Sequence, residues 1–263
     1  MSRPALTRAA GHINRRAIWS RIVIAACYGA GAIVVLPLAL IVWHLLAKGL
    51  PALSLSFFLD MPKPVGEPGG GMANAIVGTL ILVGLGTLFA VPVGVGAGVY
   101  LAEFGRGRFS SLVRYTADLL SGVPSIVVGV AAYGLVVLPM GGFSALAGGV
   151  ALGILMLPTI IRSTEEMVRL VPQSYREAAL ALGAPRWKVT QQVVIPAARA
   201  GIVTASMLAV ARAAGETAPL LFYGRTPYDD WNRQAWTGAL VLVMMVTGIS
   251  AVLRLTVRRV AQR

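Results

Sequence analysis

The chain has 263 residues, 57% of them hydrophobic and only 13% charged, with a mean hydropathy of +0.76. Soluble domains carry about 25% charged residues, so half that share points to lipid as the main solvent and excludes an ordinary water-soluble domain. The formal charge of +13 does not indicate nucleic acid either, because a nucleic-acid binder gathers its basic residues on one solvated face. Here they fall between long apolar runs.

The segment Met1–Arg21 holds Arg3, Arg8, Arg15, Arg16 and Arg21 and precedes the apolar run Ile22–Ala47. A signal peptide has an apolar core of about 7–15 residues. This run is longer and can cross a bilayer core of about 30 Å at 1.5 Å per residue, which predicts an uncleaved first transmembrane helix. Cys27 lies inside it, so no intrachain disulfide or cysteine-based metal site is expected. His12 and His44 are far apart, lack a carboxylate at metal-site spacing, and read as interfacial polar residues.

Hydropathy predicts six spans, at about 22–47, 74–101, 117–139, 145–162, 201–222 and 236–257. With the N-terminus inside, the inner segments hold eighteen Lys and Arg, while the outer ones hold Lys48, Lys63, Arg225 and Arg233. That asymmetry predicts cytoplasmic termini by the positive-inside rule. The outer loop Lys48–Gly71 contains PKPVGEPGGG and reads as a flexible connector. No phosphate-binding loop with G-K-[ST] occurs anywhere, so the chain is not itself a nucleotide hydrolase. Gly94 and Gly98, and again Gly149 and Gly153, stand four apart, a spacing that lets helices approach closely in lipid. Pro92, Pro124 and Pro158 interrupt three spans, where neighbouring helices can re-satisfy the freed carbonyls.

After the fourth span, RSTEEMVRLV is expected to continue as a solvated helix carrying Arg162–Glu166 and Glu165–Arg169 as i,i+4 pairs, with Pro172 ending it. Ser174 stands three before Glu177, a capping-box spacing. Tyr175, Ala178, Ala179 and Leu182 follow on one face. Gly183 can take the left-handed conformation that closes a helix, and Pro185 suits the start of the next. Two short helices meeting at a sharp turn are expected, ending at Pro196.

Glu177-Ala178-Ala179, Gly183, and Val193-Val194-Ile195-Pro196 resemble the EAA loop of bacterial ABC importer permeases, with Val193 and Ile195 where that family usually has Ile and Leu. The resemblance implies that Glu177, Ala178, Ala179 and Gly183 belong to a coupling helix that docks on a cytoplasmic ATPase. An interfacial helix lying on lipid headgroups is the alternative.

Arg212 falls eleven residues into the fifth span, roughly 16 Å along it and about midway through the bilayer core. An arginine there costs on the order of 2.5–3.5 kcal/mol by insertion scales. Glu216, one turn on, is within reach of pairing with it, and Thr217 and Pro219 follow. One reading is a structural pair that neutralises itself. The other is an anion pathway, since intramembrane ions usually mark ion routes and a guanidinium donates paired hydrogen bonds to oxyanions.

ARAAGETAPLLF, Ala211–Phe222, resembles the fifth-span signature of the PstA-type permeases of bacterial phosphate importers, and SGVPSIVVG, Ser121–Gly129, resembles their third-span stretch. The resemblance implies an all-α integral membrane protein of six transmembrane helices with the ABC importer permease (MetI-like) fold. It also implies Arg212, Glu216 and Thr217 as substrate-pathway residues, and a phosphate permease subunit rather than an enzyme. The partners it implies are a PstC-type permease, a dimer of PstB-type ATPases and an external PstS-type phosphate-binding protein. No cofactor is expected on this chain, ATP and Mg belonging to the ATPase. The chain then divides into a cytoplasmic segment at 1–21, a first helix and outer loop at 22–71, a permease core at 72–258 with its coupling loop at about 172–197, and a cytoplasmic tail at 259–263. Permeation of another oxyanion such as sulfate, and a role in sensing phosphate, remain as alternatives. An intramembrane enzyme using Glu216 would need a second buried acid, a metal cluster or an activated nucleophile, and none is legible. Arg225, Tyr228, Asp229, Asp230 and Arg233 read as a solvated outer loop, with contact to a binding protein as the other possibility.

Overall fold

The computed structural model describes residues 4–64, 67, 69–142, 144–216 and 229–261, with side chains for 18–64, 67, 69–142, 144–216, 234–251 and 255. Every regular element among them is helical: α1 (Pro4–Gly49), α2 (Leu55–Leu59), α3 (Ala73–Glu103), α4 (Arg108–Gly122), α5 (Ser125–Ala132), α6 (Leu138–Met140), α7 (Ala145–Arg169), α8 (Gln173–Ala181), α9 (Arg186–Val189), α10 (Ile195–Glu216) and α11 (Asp229–Ala261). Lipid offers no partner for a free backbone amide or carbonyl, so an apolar chain satisfies both within helices.

Five stretches are long and apolar enough to span a membrane: Ile18–Ala52, Ala73–Glu103, Ala145–Arg169, Arg186–Glu216 and Gln234–Ala251. The expected third span, 117–139, is not a straight crossing. Arg108–Gly122 and Ser125–Met140 meet at 110°, and the count reaches six only if this bent pair is one span. Pro124 has no N–H to continue α4 and biases Val123 away from helical angles; Val123 is extended, with ψ 130°.

The centre of the bundle is α7, which packs on α3, α4, α5 and α10. Its seam with α3 is made of glycines. A Cβ on Gly94 would sit 2.7 Å from Ile160 Cγ2, and one on Gly98 would sit 2.6 Å from Thr164 Cβ. From the other side, a Cβ on Gly149 would lie 2.6 Å from Leu85 Cβ and one on Gly153 2.8 Å from Phe89 Cδ1. The two glycine pairs of the sequence thus serve the same interface, where close approach gains the dispersion contacts that hold helices together in lipid.

At one end of this seam Glu165, 3% exposed, gathers guanidinium groups. Arg114 Nε donates to it at 2.8 Å and Arg169 Nη2 at 2.6 Å, while Arg162 Nη1 stands 3.7 Å away. The expected Glu165–Arg169 pair forms. Arg162 turns instead to Asp118 on α4, because α4 packs on α7 and brings this partly exposed carboxylate within reach, while Glu166 points away on the exposed side of α7. Arg114 also donates to the Leu101 carbonyl at 2.9 Å, tying α4 to the end of α3.

Below α7 the platform forms as two helices joined at Gly183, with two differences from expectation. The first helix begins at Gln173 behind Pro172, so Ser174 lies inside the first turn and makes no cap. The second does not stop at Pro196. Arg186–Glu216 is continuous, and residues 190–194 form a π-helical turn in which the Ile195 amide reaches the Thr190 carbonyl. That wider turn accommodates a proline with no N–H to donate.

At the other end, the connector before α3 is more ordered than its composition suggests. The Ser54 hydroxyl accepts the Phe57 amide at 3.3 Å and starts α2, which buries Phe57 to 2% exposure. Nearby, His44 of α1 meets Trp236 of α11 edge to face at 4.7 Å, and Leu45 packs on Ala239 and Leu240. Apart from Leu45 and Gly49, residues 18–49 of α1 are exposed, including Cys27.

Candidate functional site

The 110° break between α4 and α5 leaves Ser121, Val123, Pro124 and Ser125 facing the middle of α7 and the C-terminal part of α10. Together they enclose a cavity of about 210 Å³, lined also by Leu155, Pro158 and Thr159 of α7 and by Ala209, Arg212, Ala213 and Glu216 of α10. One water needs about 10–15 Å³ measured this way, so the cavity can hold several waters or a small hydrated ion. Pro158 stands thirteen residues from Ala145 and eleven from Arg169, or roughly 20 Å and 16 Å along the helix. The cavity is therefore at mid-height of the bundle.

Its chemistry comes from three elements. Arg212 supplies a guanidinium that is exposed in the isolated chain, and Glu216 a half-buried carboxylate. Their i,i+4 spacing predicts a pair, yet no ion pair within 4.0 Å joins them among the described residues. Both line the cavity, where polar groups and solvent can serve them separately. From α4, the Ser121 hydroxyl donates back to the Ala117 carbonyl at 2.9 Å, leaving its lone pairs toward other partners. From α5, the first turn has no side-chain cap; the Val127 amide bonds to the Pro124 carbonyl, and the amides of Ser125 and Ile126 precede it. Helix N-termini carry partial positive charge and favour anions.

Ser121 and Ser125, notable in the sequence only for the resemblance of their stretch, and Thr159, on an apolar span, are site residues that the sequence reading misses. Pro124 flanked by two serines is the available signal: a helix breaker inside a span with hydroxyls on either side. Thr217, Pro219, Phe222, Arg225 and Tyr228 lie outside the described residues, as do the side chains of Asp229, Asp230 and Arg233. Among the described residues no group of three or more His, Cys, Asp or Glu could hold a metal ion.

A second constellation is at the platform. Gly183 has φ +81°, the Gly183 amide donates to the Leu180 carbonyl, and the Ala184 amide donates to the Ala179 carbonyl at 3.2 Å. This is a Schellman closure, which requires the left-handed conformation at that position. Glu177 and Ala178 are exposed, Ala179 rests on the cluster of Val168, Val189 and Val194, and Tyr175 and Leu182 are 56% and 89% exposed. No residue of α8 is buried.

Residues 94–263 match the family described as binding-protein-dependent transport system inner membrane component. The chain is 40% identical over 241 residues to the phosphate transport system permease protein PstA of Haemophilus influenzae, covering 82% of this chain and 85% of the relative. It is 42% identical over 233 residues to the protein of the same name from Xylella fastidiosa strain Temecula1, covering 78% and 81%. Among solved structures, the inward-facing MetNI methionine ABC transporter superposes with a TM-score of 0.62 at 22% identity, over 72% of this chain and 95% of that one. At that identity the likeness speaks to the fold alone, an all-helical ABC importer permease fold. Taken with the apolar helices and the glycine seam, these matches lead to one conclusion: the chain is a multi-pass inner-membrane protein that belongs to the binding-protein-dependent transport permeases and, among them, to the PstA-type permeases.

Proposed function

We propose that this chain forms half of the translocation pathway of an ATP-driven inorganic phosphate importer, with Arg212 as the group that receives the anion in transit. The observation that carries this reading is the cavity at mid-height, where Arg212 shares one space with Ser121, Ser125, Thr159 and the uncapped start of α5. A tetrahedral oxyanion needs charge from a guanidinium and donors from several directions, and a discontinuous membrane helix whose N-terminus faces the site is a recurrent way of supplying them. Glu216, four residues on, limits how tightly an anion is held, and a transit site must release what it binds. Thr217 belongs to the same proposed pathway.

In this reading both termini and the α8–α9 platform are cytoplasmic. Glu177, Ala178, Ala179 and Gly183 form the coupling helix, whose exposed Tyr175 and Leu182 are covered by an ATPase subunit. The full assembly adds a PstC-type permease, a pair of PstB-type ATPases carrying ATP and Mg, and a PstS-type binding protein outside. This chain binds no cofactor and hydrolyses nothing itself.

The test is uptake of labelled phosphate by the reconstituted complex. Losing a hydrogen-bonded guanidinium corresponds to about 1.5–3 kcal/mol, so Arg212→Gln is expected to lower uptake roughly tenfold or more while assembly is retained. Arg212→Lys should fall between, since an ammonium keeps the charge but not the planar fork. Wild-type uptake by an assembled Arg212→Gln complex would defeat the proposal, and equal competition by sulfate would broaden the substrate to oxyanions in general.

A further inference from the structure

One charged residue of the platform points the opposite way from its neighbours. α8 has no buried residue, yet the Arg176 side chain is only 15% exposed and its partner Glu103, the last residue of α3, is 13% exposed. Arg176 Nε and Nη2 donate to Glu103 Oε1 at 3.0 and 2.6 Å. Nη2 also donates to the Val168 carbonyl at 2.9 Å, and Nη1 to the Val171 carbonyl. Val168 and Val171 lie at and just beyond the end of α7, where carbonyls lose their regular helical partners; the Val168 carbonyl accepts the Val171 amide at 3.3 Å as well as the Arg176 guanidinium. One side chain of α8 therefore clasps the ends of both α3 and α7.

Helix chemistry alone would put neither charge where it stands. A carboxylate at a helix C-terminus and a guanidinium in the opening part of a helix both oppose the macrodipole. The opposite charge that compensates each comes across the interface, from a partner 73 residues away. Otherwise α8 packs on α9 and on the π-helical turn of residues 190–194 that leads into α10. Without Arg176, α8 would hold mainly to α9 and α10, and its ties to α3 and α7 would be the small contact of Ala179 with the apolar cluster that includes Val99 and Val168 and the short link Leu170–Pro172.

We propose that Arg176, with Glu103, is the strut that makes α3 and α7 move with the platform, so that a push received by α8 reaches both helices bordering the glycine seam. Arg176 is thus a positioning residue, acting on the transport pathway through α7. The proposal rests on the reading of the chain as an ATPase-driven permease, and its test separates the two.

In proteoliposomes of the full complex, ATP hydrolysis and uptake of labelled inorganic phosphate are measured together. Arg176→Gln and Glu103→Gln are expected to keep hydrolysis near wild type while phosphate moved per ATP drops by about tenfold. Arg176→Lys, which keeps the charge but loses the fork, should lie between. A ratio that stays at the wild-type value, including one where hydrolysis and uptake fall together, overturns the strut.

A second readout needs no transport. In a Cys27→Ser background, spin labels at Phe104→Cys and Leu182→Cys report the separation of the α3 end from α8. The strut requires a narrow distance distribution that broadens on Arg176→Gln, and an unchanged distribution overturns it. Absence of ATP-dependent phosphate uptake in the wild-type complex would instead sink the functional reading and leave the label pair to decide the strut.

Discussion

Replacing Gly98 with Ala adds one methyl group at one of the two tightest points of the α3–α7 seam, the other being Gly149. That carbon would lie 2.6 Å from Thr164 Cβ, 2.8 Å from the Ile161 carbonyl oxygen and 2.9 Å from Thr164 Cγ2. Carbon atoms rest about 3.5–4.0 Å apart, so roughly 1 Å must be found. Neither a Cβ nor a carbonyl can rotate away, and the helices must separate. Separation also loosens the Gly94–Ile160 contact one turn along. Overpacking of this kind costs about 1–3 kcal/mol, offset by up to about 1 kcal/mol because alanine is the better helix former. Gly96 offers the matched control, since it lies in the same helix and a Cβ there meets nothing within 4 Å. The propensity gain is common to both, so Gly98→Ala is expected to be less stable than Gly96→Ala by about 1–3 kcal/mol. In the folding equilibrium that is a factor of about 5 to 150. Reversible unfolding of the purified chain by SDS in mixed micelles, followed by far-ultraviolet circular dichroism, would measure the difference. Equal stability of the two variants would refute the packing argument, and with it the assignment of the glycine pairs to one interface.

Two further outcomes follow from the buried charge and the turn. Glu165→Gln leaves Arg114, Arg162 and Arg169 without their shared counter-charge; because all three reach solvent in part, the expected loss is about 1–3 kcal/mol, below the roughly 3–5 typical of a fully enclosed pair. An unchanged midpoint in the same titration would show that the cluster contributes nothing to stability. At Gly183 there is room for a side chain but φ is +81°, so Gly183→Val carries about 1–3 kcal/mol of backbone strain, while Gly183→Asn tolerates the conformation better. Valine is expected to uncouple phosphate uptake from ATP turnover in the reconstituted complex and asparagine to do so far less; an unchanged amount of phosphate moved per ATP in the Val variant would count against a role for the turn.

Much of the chemistry that acts within one or two helical turns is legible in the amino-acid sequence alone, although the local Ser174 cap and the Arg212–Glu216 pair do not form. Gly94 and Gly98, Gly149 and Gly153 declare a close interface by their spacing, Gly183 declares a left-handed closure, and Arg212 declares itself by standing in an apolar run. The Glu165–Arg169 pair is legible for the same reason, since both residues ride one helix at a fixed separation. Only the packing of helices decides the rest. Arg162 leaves Glu166 for Asp118, Arg114 comes to Glu165 from 51 residues away, and Arg176 reaches Glu103 across 73. Two glycine pairs on separate helices become one seam. The break at Val123–Pro124 brings Ser121 and Ser125 to the cavity of Arg212. A periodic apolar pattern states which residues share a helix face, but the face that meets it is set by how helices interlock, and that depends on the whole bundle at once.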